Sequence, residues 1–174
     1  MPETTPSSVG IVMGSDSDWP KIKAAAMALD EFAVPYEVHV MSAHRTPEVV
    51  RQYATMAAAR GLNVIIAAAG GAAHLAGVIA SHTTLPVIGI PVPTDLSGGL
   101  DSLLSVVQMP GDVPVATVAV GGGGPRNAGL LAVQILALNN DVLQEKLTAF
   151  KHALVDKVSE KDRALRETLH GAQE

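Results

Sequence analysis

Val64-Ile65-Ile66-Ala67-Ala68-Ala69-Gly70-Gly71-Ala72-Ala73-His74 is the stretch that decides the fold of this chain. Its opening run, Val64 to Ala68, is apolar without alternation. A strand of that kind is covered on both faces, as in the interior of a parallel sheet. The paired glycines end the run, and His74 follows at or near the start of a helix over Leu75 to Ser81. Val64 to Ala80 is nearly long enough for a membrane span, but the glycine pair and the histidine in its middle read as strand, loop and helix instead.

The same rhythm extends in both directions. Val9 to Met13 is a short apolar strand ending at Gly14, and Trp19 to Phe32 follows with helical character. Tyr36 to Met41 alternates like a strand, Glu48 to Arg60 reads as a helix, and Gly61 is its stop. Beyond the central stretch come a strand at Val87 to Ile90, a helix at Leu100 to Val107, and a strand at Val115 to Val120. Gly121 to Gly124 then leads into a helix over Asn127 to Leu138. Strands alternating with helices, mostly as continuous apolar runs, predict an α/β fold: a flavodoxin-like, doubly wound, parallel five-stranded sheet in three α/β/α layers. The expected strand order is 2-1-3-4-5, within a catalytic domain over residues 9–140.

From Asp141 onward, Leu143, Leu147, Phe150, Leu154 and Val158 recur at helical spacing among charged residues. This predicts a long C-terminal helix over 141–170, part of the same domain, that packs either on its own domain or on a neighbouring subunit. Met1 to Ser8 is polar and reads as a disordered tail without the basic and apolar regions of a signal peptide, so a cytoplasmic location is expected.

Composition narrows the partners. At 174 residues the chain fits one core, and with 48% apolar but only 3% aromatic residues that core is built from Ala, Val, Leu and Ile. A net charge of −5 argues against nucleic acid or an anionic membrane as the main partner. Between Gly61 and Pro125 there is no Lys, Arg or Glu, and only Asp95, Asp101 and Asp112 carry obligatory charge. Oligomerisation is the simplest way to cover so long an uncharged segment, and Leu130 to Leu138, apolar almost all round, points the same way. The absence of cysteine excludes disulfides and thiolate chemistry.

In a 2-1-3-4-5 sheet the loops after the first three strands meet at the switch point, where ligands bind. These loops carry Ser15, Ser17 and Asp18, then Ser42 to Arg45, then Gly70 to His74. In Ser42-Ala43-His44-Arg45-Thr46-Pro47, Thr46 is a suitable N-cap and Pro47 a suitable first helical residue. A neutral-pH proton carrier, His44, therefore sits beside Arg45, whose rigid fork of donors suits a phosphate or carboxylate at a helix start. Asp18 is either a ribose acceptor or a simple cap for the helix with Pro20 in its first turn, and His74 alone is more often structural than chemical. Gly14 to Asp18 lacks the later glycines of the dinucleotide fingerprint, which speaks against NAD. No His pair has metal-ligand spacing, since His74 and His82 lie two turns apart, roughly 12 Å along a helix, and no G-x-S-x-G elbow is present. These residues support neither a NAD site nor a metal site.

Taken together, Gly14-Ser15-x-Ser17-Asp18, Ser42 to Pro47, Ala69-Gly70-Gly71-Ala72-Ala73-His74-Leu75 and Ser105-Val106-Val107-Gln108-Met109-Pro110 resemble the N5-carboxyaminoimidazole ribonucleotide mutases (class I) of purine biosynthesis. Asn127-Ala128-x-Leu130-Leu131-Ala132 also fits, so the motifs run in order over residues 9–138. The resemblance implies a homo-octamer without cofactor that moves a carboxylate from an exocyclic nitrogen to ring carbon 4 of a phosphorylated ribonucleotide. It implies that Ser15, Ser17, Ser42 and Arg45 hold the phosphate and Asp18 the ribose. Ala43 and Leu75 belong to the substrate-binding set, and Gly70, Gly71 and Ala72 would line the imidazole and carbon dioxide pocket. His44 would be the proton shuttle, with His74 beside it as the second catalytic residue. The chemistry agrees, because decarboxylation at nitrogen needs a proton donor and carboxylation at carbon needs a base, and one histidine serves both in sequence. Two positions depart from the family's pattern: Ala76 stands where proline is usual, and Pro125-Arg126 where small residues are usual.

Two other functions use the same crevice. An animal-type carboxylase adds free carbon dioxide to the unmodified ribonucleotide, but that branch typically carries Ser-Ala-His-Lys-Gly-Pro and Ala-Gly-Arg-Ser-Asn at these loops. A catalytically silent nucleotide-binding module needs no proton shuttle, and His44 beside Arg45 argues against it.

Overall fold

The computed structural model describes residues 8–171, so the expected N-terminal tail, Ser8 apart, lies outside the described residues. Two compact units are present, one running to Ile135 and one starting at Leu136. In the first, β1 (Val9–Met13), β2 (Tyr36–Val40), β3 (Val64–Ala69), β4 (Val87–Pro91) and β5 (Ala116–Thr117) form one sheet in the order β2-β1-β3-β4-β5. All neighbours are parallel, with Val9 opposite both Tyr36 and Val64, and Ala69 opposite Pro91. This is the expected doubly wound order, with the switch point between β1 and β3.

The helices are α1 (Trp19–Ile22), α2 (Ala24–Glu31), α3 (Pro47–Ala57), α4 (Leu75–Ala80), α5 (Leu100–Val107) and α6 (Gly124–Ala137). Val12, Ile65, Ala67 and Val87 look out of one sheet face into a cluster with Val50 and Ala54 of α3, Leu75 and Ile79 of α4, and Val106 of α5. Because side chains alternate along a strand, Ile11, Ile66 and Ile88 face the other way, and all three are buried. On α2 and α6 small residues allow close approach: a Cβ on Gly129 would collide with the Ala25 carbonyl and lie 2.8 Å from Ala28 Cβ. The near absence of aromatic bulk noted in the composition is thus matched by helices that pack backbone to backbone.

Several boundaries differ from the sequence expectation for local reasons. The first helix is divided into a 3-10 turn (Asp16–Asp18), α1 and α2, joined through Lys23, whose N–H still reaches Trp19 O at 2.9 Å. The third ends its α-helical part at Ala57 and tightens into a 3-10 turn over Ala58–Arg60, stopped by Gly61 at φ 95°. β5 is much shorter than Val115 to Val120, because it is an edge strand with one neighbour; Val118 N–H makes a last bond to Gly89 O at 3.1 Å before the chain leaves the sheet. Gly124 rather than Asn127 opens α6, with Pro125 in its first turn, where a missing N–H costs nothing. Arg126, one of the two departures from the family pattern, pairs with Glu31 at 2.7 Å, and Ala76 is buried within α4.

The second unit holds the end of α6 and α7 (Asp141–Gly171), whose residues 151–170 are exposed throughout. Leu138, expected to be covered, is 79% exposed in the single chain. No helix among the described residues is long and apolar enough to cross a membrane, and Val64 to Ala80 resolves into β3, a loop and α4.

Candidate active site

The carboxyl ends of β1, β2 and β3 open into a cavity of about 390 Å³ lined by Gly14, Ser15 and Asp18 from the first loop, Ser42 to Arg45 from the second, and Ala69, Gly70, Ala72 and Leu75 from the third. The three loops singled out in the sequence therefore converge on one crevice. An adjoining recess of about 330 Å³ shares Gly14, Ser15, Ser42 and Arg45 with it, so Arg45 borders both.

The second loop is closed on itself. Ser42 N–H donates to Thr46 Oγ1 at 2.9 Å, Thr46 Oγ1 donates to Ser42 O at 3.1 Å, and Arg45 N–H donates to Ser42 Oγ at 3.2 Å. Thr46 occupies the N-cap position of α3 but makes no side-chain cap bond, correcting the expectation, because its hydroxyl is already engaged across the loop. This ring presents His44 and Arg45 outward, both exposed. The Arg45 guanidinium donates through Nη2 to Gly14 O at 2.9 Å. That contact ties the β2 loop to the end of β1 and leaves the other donors of the fork for an anion.

His44 Nε2 and His74 Nδ1 lie 2.9 Å apart, with the rings nearly perpendicular at 81°. One ring must donate and the other accept, leaving His44 Nδ1 and His74 Nε2 outside the bond. A proton arriving on one ring has a direct partner in the other.

In the first loop, Ser15 caps the 3-10 turn by accepting from Ser17 N–H at 3.3 Å, and its hydroxyl lies 2.8 Å from that of Ser17. Ser15 lines the cavity; Ser17 does not, and acts on the site through Ser15. Asp18 makes no side-chain cap bond to α1, which removes the simple-cap reading. It is 9% exposed and lines the cavity; burial pushes its carboxyl above the ordinary value, partly offset by Lys21. A partly desolvated acceptor of this kind suits neutral hydroxyl donors such as a ribose diol.

Gly71, expected to line the pocket, is turned away from it toward α5. Its φ of 68° is the left-handed conformation that glycine adopts freely, and Ser102 Oγ accepts its N–H at 2.9 Å. Gly70 and Ala72 on either side line the cavity instead. Ala43 and Leu75 also line it, while His74 reaches the site through His44. Gly14 and Ala69 also line the cavity, although sequence reasoning did not assign them, and Ser102 and Ser105 of α5 bond Gly71 behind the third loop; the motif beginning at Ser105 was the available signal for α5.

The fold and the site together define a doubly wound α/β protein whose switch point carries an arginine and a bonded histidine pair. A model of the AIR carboxylase family matches residues 8–157, and the chain belongs to that family. It is 60% identical over 157 residues to the N5-carboxyaminoimidazole ribonucleotide mutase of Mycobacterium tuberculosis, covering 90% of this chain and 89% of that one. It is 57% identical over 163 residues to the protein of the same name from Synechocystis, covering 93% and 92%. Among solved structures, Treponema denticola PurE superimposes with a TM-score of 0.81 at 30% identity, covering 90% of this chain and 97% of that one.

Proposed function

We propose that this chain is an isomerase of de novo purine biosynthesis that converts N5-carboxyaminoimidazole ribonucleotide into 4-carboxy-5-aminoimidazole ribonucleotide. The observation that carries this reading is the His44–His74 bond at the cavity bordered by Arg45. Arg45, with Ser15 and Ser42, receives the phosphate, Ser17 supports it through its bond to the Ser15 hydroxyl, and Asp18 accepts from the ribose hydroxyls. The N–C bond of the carbamate breaks, carbon dioxide departs, and the exocyclic nitrogen takes a proton from His44. Ring carbon 4 then attacks the retained carbon dioxide, and the hydrogen displaced from that carbon returns to His44 as a proton. Atoms balance without a cofactor, and the histidine ends the cycle as it began. Confinement in a small cavity replaces a bimolecular encounter with an intramolecular one.

The decisive experiment supplies substrate labelled in its carboxylate in an excess of unlabelled bicarbonate. Label should appear in the product. Extensive loss of label within one turnover, with efficient use of bicarbonate and unmodified ribonucleotide, would establish the free-carbon-dioxide carboxylase instead; binding without turnover would leave a nucleotide-binding module.

The reading extends to a cytoplasmic homo-octamer in which the C-terminal helix packs on a neighbouring subunit. Leu100, Leu104 and Val107, each 47% exposed, form an apolar stripe on α5 that a second copy would cover. Light scattering should report a closed oligomer larger than a dimer, and a stable monomer at micromolar concentration would contradict it.

A further inference from the structure

The loop between β3 and α4 is shaped from outside by two serines of α5. Ser102 is completely buried, accepts the Gly71 N–H at 2.9 Å and donates to Val92 O at 2.7 Å. One turn on, Ser105 Oγ is 3.1 Å from Gly71 O and 2.8 Å from Asp101 O, sharing its proton between them. Both sides of one glycine residue are thereby held by one helix. The helix is anchored in turn: Asp101 accepts from Thr94 Oγ1 at 2.6 Å and from Ser102 N–H at 2.8 Å, and Thr94 Cγ2 sits 3.4 Å from where a Cβ of Gly70 would be.

The clamp has a chemical consequence at the cavity. With its N–H and carbonyl engaged, Gly71 is fixed in its left-handed conformation, and this sets the direction of the peptides on either side. Gly70 and Ala72 line the cavity, and among the described residues their N–H groups have no partner. They are backbone donors on the cavity wall, available to a carboxylate or to carbon dioxide. We propose that Ser102 and Ser105 are positioning residues for the carboxylate-transfer step, holding the Gly70 and Ala72 amides in place so that released carbon dioxide stays beside the ring carbon. The inference rests on the mutase reading.

Ser105→Ala is the informative variant, because Ser105 is only partly buried and its loss leaves the helix bond pattern intact. The phosphate and ribose contacts are untouched, so KM should stay within about twofold while kcat falls about 10- to 100-fold, the effect of a small misplacement of reacting groups. The fraction of carboxylate label lost to bicarbonate per turnover should rise. Ser105→Thr keeps a hydroxyl able to bond back along the helix and should restore both kcat and label retention. Ser102→Ala should act in the same direction, with thermal unfolding run beside it; if that protein does not fold, the Ser105 pair still decides. A purely structural role would lower the folded fraction without changing label loss. Wild-type kcat and label retention in Ser105→Ala would overturn the clamp, whereas a wild-type protein that does not convert the carboxylated ribonucleotide would overturn the mutase reading itself.

Discussion

Arg45 offers the most direct measurement of how the crevice holds its ligand. Its guanidinium carries five N–H donors, and one is already given to Gly14 O at 2.9 Å. The contact fixes the plane of the fork, and the remaining edge can meet two oxygens of a phosphate at once. A hydrogen bond to a charged group contributes about 1.5–3 kcal/mol, so Arg45→Ala should weaken binding of the product ribonucleotide about 10- to 150-fold. Arg45→Lys keeps the charge but must choose between the Gly14 carbonyl and the phosphate, so most of that loss, about 10-fold or more, should remain. Titration calorimetry at two salt concentrations separates the contributions: the wild type should lose more affinity with added salt than Arg45→Ala. An Arg45→Ala affinity within twofold of the wild type would refute the anion role and leave Arg45 as a tie between two loops.

The remaining expectations are compact. His44→Asn should bind product normally but lose turnover by about 10²–10⁴-fold for each proton transfer it serves, and near-normal single-turnover rates would remove His44 from the chemistry. The Glu37 carboxylate accepts from Tyr53 Oη at 2.8 Å and from Arg60 at 2.8 and 2.9 Å; burial pushes its pKa up, but these bonds and the Arg60 charge together hold it below its ordinary value of 4.5. A depressed acid stabilises the fold above its unfolded pKa and ceases to as pH falls through its folded one. The gap between wild type and Glu37→Gln in urea unfolding should therefore be present near pH 7 and shrink below about pH 4.5; a gap that stays constant would show that charge has no part in it.

How much of this was legible in the chain depended on what each residue faces. β3 could be read because a strand covered on both faces has no polar positions to confuse its period, and Val64 to Ala68 are all buried. β5 was over-read because Val115 to Val120 are apolar in composition, while strand length at an edge is set by where the single neighbour stops pairing. The convergence of the three site loops followed from topology alone. The division of labour inside them did not: that Thr46 closes its own loop and that Gly71 turns to α5 depend on hydroxyl directions, which residue type and spacing leave open. The close packing of Gly129 on Ala25 was likewise hidden, since a small residue signals closeness only when its partner is known.

The ring of bonds between Ser42 and Thr46 determines when the ordering cost of the His44 loop is met. Those bonds form within one short segment, without any ligand, so the loop loses its conformational freedom on folding. Ligand association then begins with His44 and the Arg45 guanidinium already oriented, and little of the intrinsic attraction is consumed in arranging them. A loop ordered in advance therefore puts more of that attraction into affinity for its ligand than a loop that must be arranged on binding.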